Sequence, residues 1–118
     1  MSERYVGCDN ISASVTPAGM NDFEVTTLDV GSAVAVKLPT NALSGRKQIS
    51  ILNNSETDTL YIHSRNTLTA DSVVGTTSGW PVFPQSILNE EIEGTIDIWG
   101  LAPSGATIRV TIKEARII

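Results

Sequence analysis

The side chains that most often perform nucleophilic or acid–base chemistry are scarce in this sequence. His63 is the only histidine and Cys8 the only cysteine. A nucleophile needs a base within hydrogen-bond reach, usually a histidine, and a zinc site needs several His or Cys ligands. His63 ends an alternating run on the face opposite Leu60 and Ile62, which indicates an exposed position. We therefore expect no catalytic residue and no metal site, and we interpret His63 as a surface residue.

Carboxylates form a second group with possible chemistry, because Glu90, Glu91 and Glu93 lie close together and Asp97 follows them. Paired carboxylates hydrolyse glycosides when their environments differ, and carboxylate oxygens suit Ca²⁺. The three glutamates fall in one turn beside Gly94, however, and the spacing of a calcium loop is missing. The glycine motifs of nucleotide-binding loops are missing as well. The sequence thus predicts a solvated acidic loop, no cofactor and no enzyme.

Aromatic and basic side chains are the candidates for binding. Tyr61 and Trp99 fall on the outward faces of their predicted strands. Carbohydrate-binding modules stack sugar rings on such side chains, and Tyr and Trp are also enriched in protein interfaces. The longest basic run, Arg46-Lys47, stands at the start of a predicted strand, where it would contact a neighbouring subunit. We predict the following interface residues: Tyr5, Val6, Arg46, Lys47, Tyr61, Trp80 and Trp99.

The charge balance argues against nucleic acid and membrane partners. Eight basic and thirteen acidic residues give a formal net charge of −5, whereas such partners call for a concentrated positive face. The opening "MSERYVGCDNIS" lacks the basic start and apolar run of a signal peptide, and no stretch approaches the ~18 apolar residues of a membrane span. A single Cys8 cannot form an internal disulfide, which fits a protein made in a cytosol.

Alternation with a period of two, bounded by Gly, Pro and Asn, predicts β-strands along most of the chain. In the run 23–30, Phe23 and Val25 share one face but Leu28 and Val30 share the other, so we expect a bulge near Thr26-Thr27. Further strands are predicted at 33–38, 46–53 and 59–63. The six polar residues 53–58 favour a hairpin between the last two.

The second half of the chain continues this pattern. A short strand is predicted at 67–74, and the two prolines in 81–88 indicate an edge strand or an extended ledge. The runs 95–100 and 106–118 supply the last strands, and the inward residues of the whole set are Ile49, Ile51, Leu60, Ile62, Ile96, Ile98, Ile108, Val110 and Ile112. Seven or eight short strands predict an all-β fold, an antiparallel β-sandwich that is jelly-roll-like. We expect residues 21–118 to form this single domain and residues 1–20 to form an extended or flexible N-terminal arm.

Three segments resemble the small structural proteins of tailed bacteriophages. "VKLPTNALSGRKQISILNNSETDTLYI" is similar to a segment of that family with a strand ending in L-P, a linker ending in L-x-G-R, an I-x-I-x-N strand and L-Y-I. "GWPVFPQSIL" looks like the family's G-x-P-L-x-P-G-x-x-L, and "TIDIWGLAPSGATIRVTIKEA" looks like its final segment. The similarity covers about residues 34–115 and departs at Gln85-Ser86, where the family usually has a Pro-Gly turn.

The resemblance implies a β-sandwich component of a virion, commonly a homotrimer, with a structural role. The leading hypothesis is a capsid decoration or cement protein, made in the host cytoplasm and bound to the capsid surface. It would bridge major capsid subunits through its loops and arm, and many weak contacts would add up through multivalency. One alternative is a tail or fibre-base subunit. An alternative of another class is a carbohydrate-binding module that recognises host glycans through Trp99, Tyr61 or Trp80.

Overall fold

Eight strands in two antiparallel sheets form the part of the chain that the computed structural model describes, residues 19–66, 68 and 79–118. The bounds of the strands are β1 (Asp22–Val30), β2 (Val36–Lys37), β3 (Arg46–Asn53), β4 (Leu60–His63), β5 (Trp80–Val82), β6 (Ile87–Glu90), β7 (Trp99–Leu101) and β8 (Ile108–Arg116). No helix that is long and apolar enough to cross a bilayer occurs in these residues.

The order of the strands is that of a jelly roll. Sheet A has the order β1-β8-β3-β6 and sheet B the order β2-β7-β4-β5. The first strand pairs with the last, the second with the second to last, and so on inward along the chain. Thus β1 joins β8, β2 joins β7, β3 joins β6 and β4 joins β5. The predicted all-β class and the jelly-roll-like sandwich of seven or eight strands are confirmed.

The core lies between the two sheets and is built largely from alternate residues of β3, β4 and β8, as the pleat requires. Ile51 of β3 and Ile112 of β8 are paired neighbours in sheet A, and both are buried. Sheet B contributes Leu60 and Ile62 of β4. Eight of the nine predicted inward residues are buried here: Ile49, Ile51, Leu60, Ile62, Ile98, Ile108, Val110 and Ile112.

Ile96 is the exception to the predicted core, since 47% of it is exposed. The strand predicted at 95–100 begins only at Trp99, and Ile96 precedes it in an irregular loop. Alternation therefore does not place Ile96 on a strand face. The strand predicted at 33–38 is likewise reduced to Val36 and Lys37.

The predicted bulge in β1 is wrong. All nine residues of β1 pair in continuous register with β8, from Asp22 opposite Arg116 to Val30 opposite Ile108. Leu28 and Val30 therefore face the core, whereas Phe23 and Val25 lie on the outer face with 56% and 57% of their surface exposed. An unbroken register keeps the two apolar pairs on opposite faces.

The predicted hairpin between β3 and β4 is also wrong, because β3 belongs to sheet A and β4 to sheet B. The connection crosses from one sheet to the other, and the fully buried side chain of Asn53 holds it. Its Nδ2 donates to the carbonyl oxygens of Asp58 at 2.8 Å and Val82 at 2.9 Å, and its Oδ1 accepts from the Ser55 N–H at 2.9 Å.

The proline-rich run predicted as an edge strand, 81–88, is divided between two strands. β5 forms one edge of sheet B and β6 forms one edge of sheet A. Pro81 lies in β5 and Pro84 in the turn between the two strands. The short strand predicted at 67–74 lies outside the described residues except for Leu68.

Candidate binding surface

Arg46 is one of the most deeply buried side chains in the described residues, with 1% of its surface exposed. Its Nη1 donates to Glu114 Oε2 at 2.8 Å. Its other nitrogens donate to carbonyl oxygens of the loop before β7, namely Nε to Ile92 at 3.0 Å and Nη2 to Glu93 at 3.0 Å and Ile96 at 2.7 Å. Arg46 thus ties this loop to the end of sheet A.

The prediction of Arg46 as an interface residue is wrong, because its side chain is not accessible to a partner. The register of β3 against β8 shifts between Arg46 and Gln48, so Lys47 is the extra residue of a bulge. The bulge turns Arg46 inward beside Glu114 and leaves Lys47 outside. Strict alternation from Ile49 places Arg46 outside, which is why the sequence pattern did not reveal that Arg46 is buried.

Lys47 is exposed, as expected for a contact residue, and its Nζ lies 3.5 Å from Glu93 Oε1. The two side chains border a shallow cleft of about 310 Å³ between residues 42–47 and 93–95. Gly94 is required at its floor, because a Cβ there would lie 2.9 Å from the Leu43 carbonyl oxygen. An exposed ion pair of this kind contributes about 0–1 kcal/mol, so Lys47 remains available for exchange with a partner's carboxylate.

Tyr61 and Trp99 lie on the outer face of sheet B, the face predicted for them, but both are half-buried. They pack against a small apolar cluster of Ala35, Leu68 and Leu101. Leu68 comes from the connection after β4, so this chain itself covers part of the outer face of sheet B. The accessible area that remains on Tyr61 and Trp99 is smaller than the sequence suggested.

Trp80 is 67% exposed, more than the other predicted interface aromatics that the structure describes, Tyr61 and Trp99. It begins β5 at the edge of sheet B, opposite Ile62. Phe83, at 61% exposure, follows the same strand. A large apolar ring held on regular structure and left in water is typical of a contact site.

His63 takes part in a local turn at the end of β4, whereas Glu93 of the acidic loop also contacts Arg46 and Lys47 of β3. His63 Nδ1 accepts a hydrogen bond from the Arg65 N–H at 3.0 Å, within the turn that follows β4. Glu90, Glu91 and Glu93 are exposed. Among the described residues, no group of three or more His, Cys, Asp or Glu side chains is arranged to hold a metal ion. The predicted contact residues Tyr5 and Val6 lie outside the described residues.

The sequence did not reveal a further surface, which we name the apolar face: Phe23, Val25, Leu52 and Ile87 on the outer side of sheet A. Ile87 is 44% exposed, and Val25, Leu52 and Ile87 border a shallow hollow of about 180 Å³. Lys113 Nζ lies 4.9 Å from the centre of the Phe23 ring, which suits a cation–π contact.

The apolar face was missed because the expected bulge put Phe23 and Val25 on the same side as the rest of β1, and no facing was predicted for Leu52 or Ile87. Phe23 and Val25 alternate like core residues, and only the missing bulge in β1 places them outside. Ile87 lies on an edge strand opposite Leu52. The sequence did contain a signal for this surface, because the apolar residues of β1 change from one face of the strand to the other. In an unbroken strand, this change means that one apolar pair faces the core and the other pair faces solvent.

Comparison with known proteins identifies no relative, since no family model, no curated protein and no solved structure matches the chain.

Proposed function

We propose that this chain is a structural subunit of a tailed-phage virion, most simply a capsid decoration or cement protein that binds the outside of the head and bridges capsid subunits. The observation that carries the proposal is the apolar face. Phe23, Val25 and Ile87 are each between 44% and 57% exposed on one side of a four-stranded sheet. Apolar side chains grouped on a rigid face favour docking onto another protein surface.

The sequence resemblance supplies the setting, because it points to β-sandwich components of phage particles. The jelly-roll core gives such a subunit a stiff platform, and Trp80, Phe83 and Lys47 add contact groups at other places on its surface. The major capsid protein is the partner that this role requires. The homotrimer that the resemblance implies stays a prediction, as do the absence of catalysis and of nucleic acid or membrane binding.

The proposal is tested by restoring the protein to particles that lack it. Purified protein is mixed with heads from a phage whose copy of this gene is deleted, and the particles are imaged by cryo-EM. We expect additional density at regular positions on the head. Density on the tail or fibre base would support the alternative tail role, and the absence of density at either place would contradict a virion role.

A paired set of variants tests the part played by the apolar face. Leu52→Ser with Ile87→Ser removes apolar groups from β3 and β6, and we expect particle binding to weaken by about tenfold or more. Val34→Ser is the control, because Val34 is 69% exposed but precedes β2 of the other sheet. Equal binding by both proteins would show that the apolar face is not the docking surface.

Glycan recognition remains the second candidate function. Trp80 is a better candidate for the contact with a sugar than Tyr61 or Trp99, because its ring is more exposed. An exposed indole at a strand edge is accessible to a sugar ring, whereas the other two rings pack on the Leu68 cluster. A glycan array would detect such binding. Signal that is lost in Trp80→Ala, while Phe83→Ala retains it, would support this function over assembly.

A further inference from the structure

The first strand presents a long, regular edge. β1 has nine residues and lies at one end of sheet A, next to β8. The other edge strands are shorter, with two residues in β2, three in β5 and four in β6. Among the described residues, no strand pairs with the second side of β1. β1 also has no proline, lysine or bulge, and the charges by which it could resist pairing are the acids Asp22, Glu24 and Asp29.

The backbone groups on this edge can be assigned from the hydrogen bonds of β8. The Asn54 N–H donates to the Arg109 carbonyl oxygen at 3.0 Å, so Arg109 and every second residue after it direct their backbone groups toward β3. The alternate residues of β8 serve β1, where their partners are the even-numbered residues. The N–H and C=O groups that point away from the sheet therefore belong to Phe23, Val25, Thr27 and Asp29.

We infer that this edge pairs with the same edge of a second copy, β1 against β1 in antiparallel order about a two-fold axis at Thr26. In that register all nine residues of each strand are matched, with Asp22 opposite Val30 of the other copy and Phe23 opposite Asp29. The outward N–H and C=O groups of Val25 would then pair with those of Thr27 in the other copy. Those of Phe23 would pair with those of Asp29 in the other copy. Each outward N–H and C=O of the four odd-numbered residues then has a partner, as backbone groups require.

The charges of β1 agree with this register. β1 has three acidic residues and no basic residue, so pairing it with itself would fail wherever acids face each other. With the axis at Thr26, Glu24 faces Leu28, Asp22 faces Val30 and Asp29 faces Phe23. Two of the acids already have a cation, since Asp29 lies 3.1 Å from Arg109 Nε and Asp22 lies 2.8 Å from Arg116 Nε. No carboxylate is placed directly opposite another.

The resulting dimer would have one continuous eight-stranded sheet, four strands from each copy. Its outer side would join the two apolar faces, because Phe23 and Val25 belong to the central strands. The inference goes beyond the proposed virion role and does not depend on it, since it concerns purified protein alone. It predicts a dimer as the closed product in solution, in contrast to the trimer that the resemblance implies.

The sharpest test is a disulfide at the axis, made in a Cys8→Ser background. Residues on a two-fold axis between non-hydrogen-bonded partners have Cα atoms about 4.5 Å apart, which lies in the range of about 4.4–6.8 Å that a disulfide spans. We expect Thr26→Cys to give a covalent dimer under mild oxidation. Thr27→Cys is the matched control, because its two copies would be roughly 8–9 Å apart and should not link.

Light scattering on the unmodified protein measures the mass of the assembly in solution. Val25→Pro tests whether the edge of β1 forms the contact between the copies. Proline at Val25 removes an outward N–H and leaves the β1–β8 bonds of its even-numbered neighbours in place. We expect the dissociation constant of the dimer to rise by about tenfold or more, since both copies lose a bond. Circular dichroism checks the fold of the variant, and the Thr26→Cys result stands if that variant does not fold.

Amide hydrogen exchange distinguishes this dimer from other ways of covering the edge. If copies pair, protection at Val25 and Thr27 rises with protein concentration. Protection that is independent of concentration would mean that another part of the same chain, such as residues 1–18, covers β1, and this result would overturn the inference. Rapid exchange at every concentration, a mass of one or three copies, or linking by Thr27→Cys instead of Thr26→Cys would overturn it as well.

Discussion

At the scale of single residues, Arg46 shows how one side chain can organise a whole end of the molecule. Its guanidinium joins Glu114 of β8 to three carbonyl oxygens of the loop before β7. Glu114 Oε2 also accepts the Leu43 N–H at 3.1 Å. The ion pair is therefore completed by hydrogen bonds on both partners, which is the condition under which a buried pair is tolerated.

Loss of Arg46 should strongly destabilise the fold. Arg46→Ala leaves Glu114 buried without its cation, and we expect the free energy of unfolding to fall by about 3–5 kcal/mol. Lys47→Ala is the matched control, because its ion pair is exposed, and should change stability by no more than about 0.5–1 kcal/mol. Urea unfolding followed by tryptophan fluorescence measures both. Similar losses in the two variants would contradict the structural role of Arg46.

Gln85 provides a second residue-scale prediction, because it has a φ of 57° in the turn between β5 and β6. The Ser86 N–H closes this turn on the Phe83 carbonyl oxygen at 3.1 Å. A left-handed residue with a Cβ costs roughly 1–2 kcal/mol, more than the entropy that glycine loses, about 0.5–1 kcal/mol. Gln85→Gly should therefore raise the stability by roughly 0.5 kcal/mol.

Gly105→Ala is the control for Gln85→Gly. Gly105 has a φ of 81°, and a Cβ there would meet no atom within 4 Å. Any effect of the substitution comes from backbone conformation, and we expect a loss of about 1 kcal/mol. Thermal unfolding of the two variants should shift in opposite directions. The departure from the Pro-Gly turn identified in the sequence thus has a measurable cost.

At the scale of elements, the crossing between β3 and β4 depends on Asn53. Asn53→Ala removes three side-chain hydrogen bonds and leaves the Asp58 and Val82 carbonyl oxygens without their donor. We expect a loss of about 2–4 kcal/mol, because the bond to Val82 is buried and the other two are partly buried. Asn54→Ala removes one exposed bond to Thr111 and should cost about 0.5 kcal/mol. Chemical denaturation compares the two, and equal values would contradict this account.

Alternation of apolar and polar residues predicts which residues of a strand face the core, but not which strands pair. It identifies residues that face the core of a regular strand, such as Ile49, Ile51 and Ile112, and it predicted β3 with its observed bounds. It does not report pairing partners, because the residues 53–58 suit a hairpin or a crossing equally well. Only the contacts of Asn53 with the loop and with β5 distinguish the two.

The candidate sites were harder to predict than the fold, because they lie where alternation is interrupted. The bulge at Lys47 exchanges the environments of Arg46 and Lys47. The unbroken register of β1 places Phe23 and Val25 in water. Trp80 is exposed at a sheet edge, whereas Tyr61 and Trp99 share their face with Leu68. A single local shift changes a residue from core to surface, and a sequence pattern does not record it.

At the scale of the whole molecule, the two proposals concern adjacent parts of sheet A. The apolar face extends from β1 to β6, and the open edge is β1 itself. Leu52→Ser with Ile87→Ser changes the face without touching the edge. Thr27→Pro also removes an outward N–H of β1 and changes the edge without removing a member of the apolar face. A protein that dimerises normally but no longer binds particles, or the reverse, would show that face and edge act separately.

Net charge gives a final prediction for the dimer. Each copy has a formal charge of −5, so two copies together carry −10 and repel each other. Salt reduces this repulsion, since the Debye length falls from about 30 Å at 0.01 M to about 3 Å at 1 M. Backbone hydrogen bonds and apolar contacts at β1 are much less sensitive to screening. We therefore expect the dissociation constant to decrease several-fold as sodium chloride increases across this range, measured by sedimentation equilibrium.

Glu24→Gln is the variant that tests this electrostatic argument. Glu24 is the acid of β1 that faces Leu28 of the other copy in the proposed register, and its side chain is exposed. Neutralising it removes one negative charge from each copy close to the axis, so the variant should dimerise more tightly at low salt and respond less to added salt. Val25→Pro should dimerise about tenfold or more weakly than the unmodified protein at both extremes. A dimer that weakens as salt increases would mean that attraction between opposite charges, not pairing of β1 edges, holds the copies together.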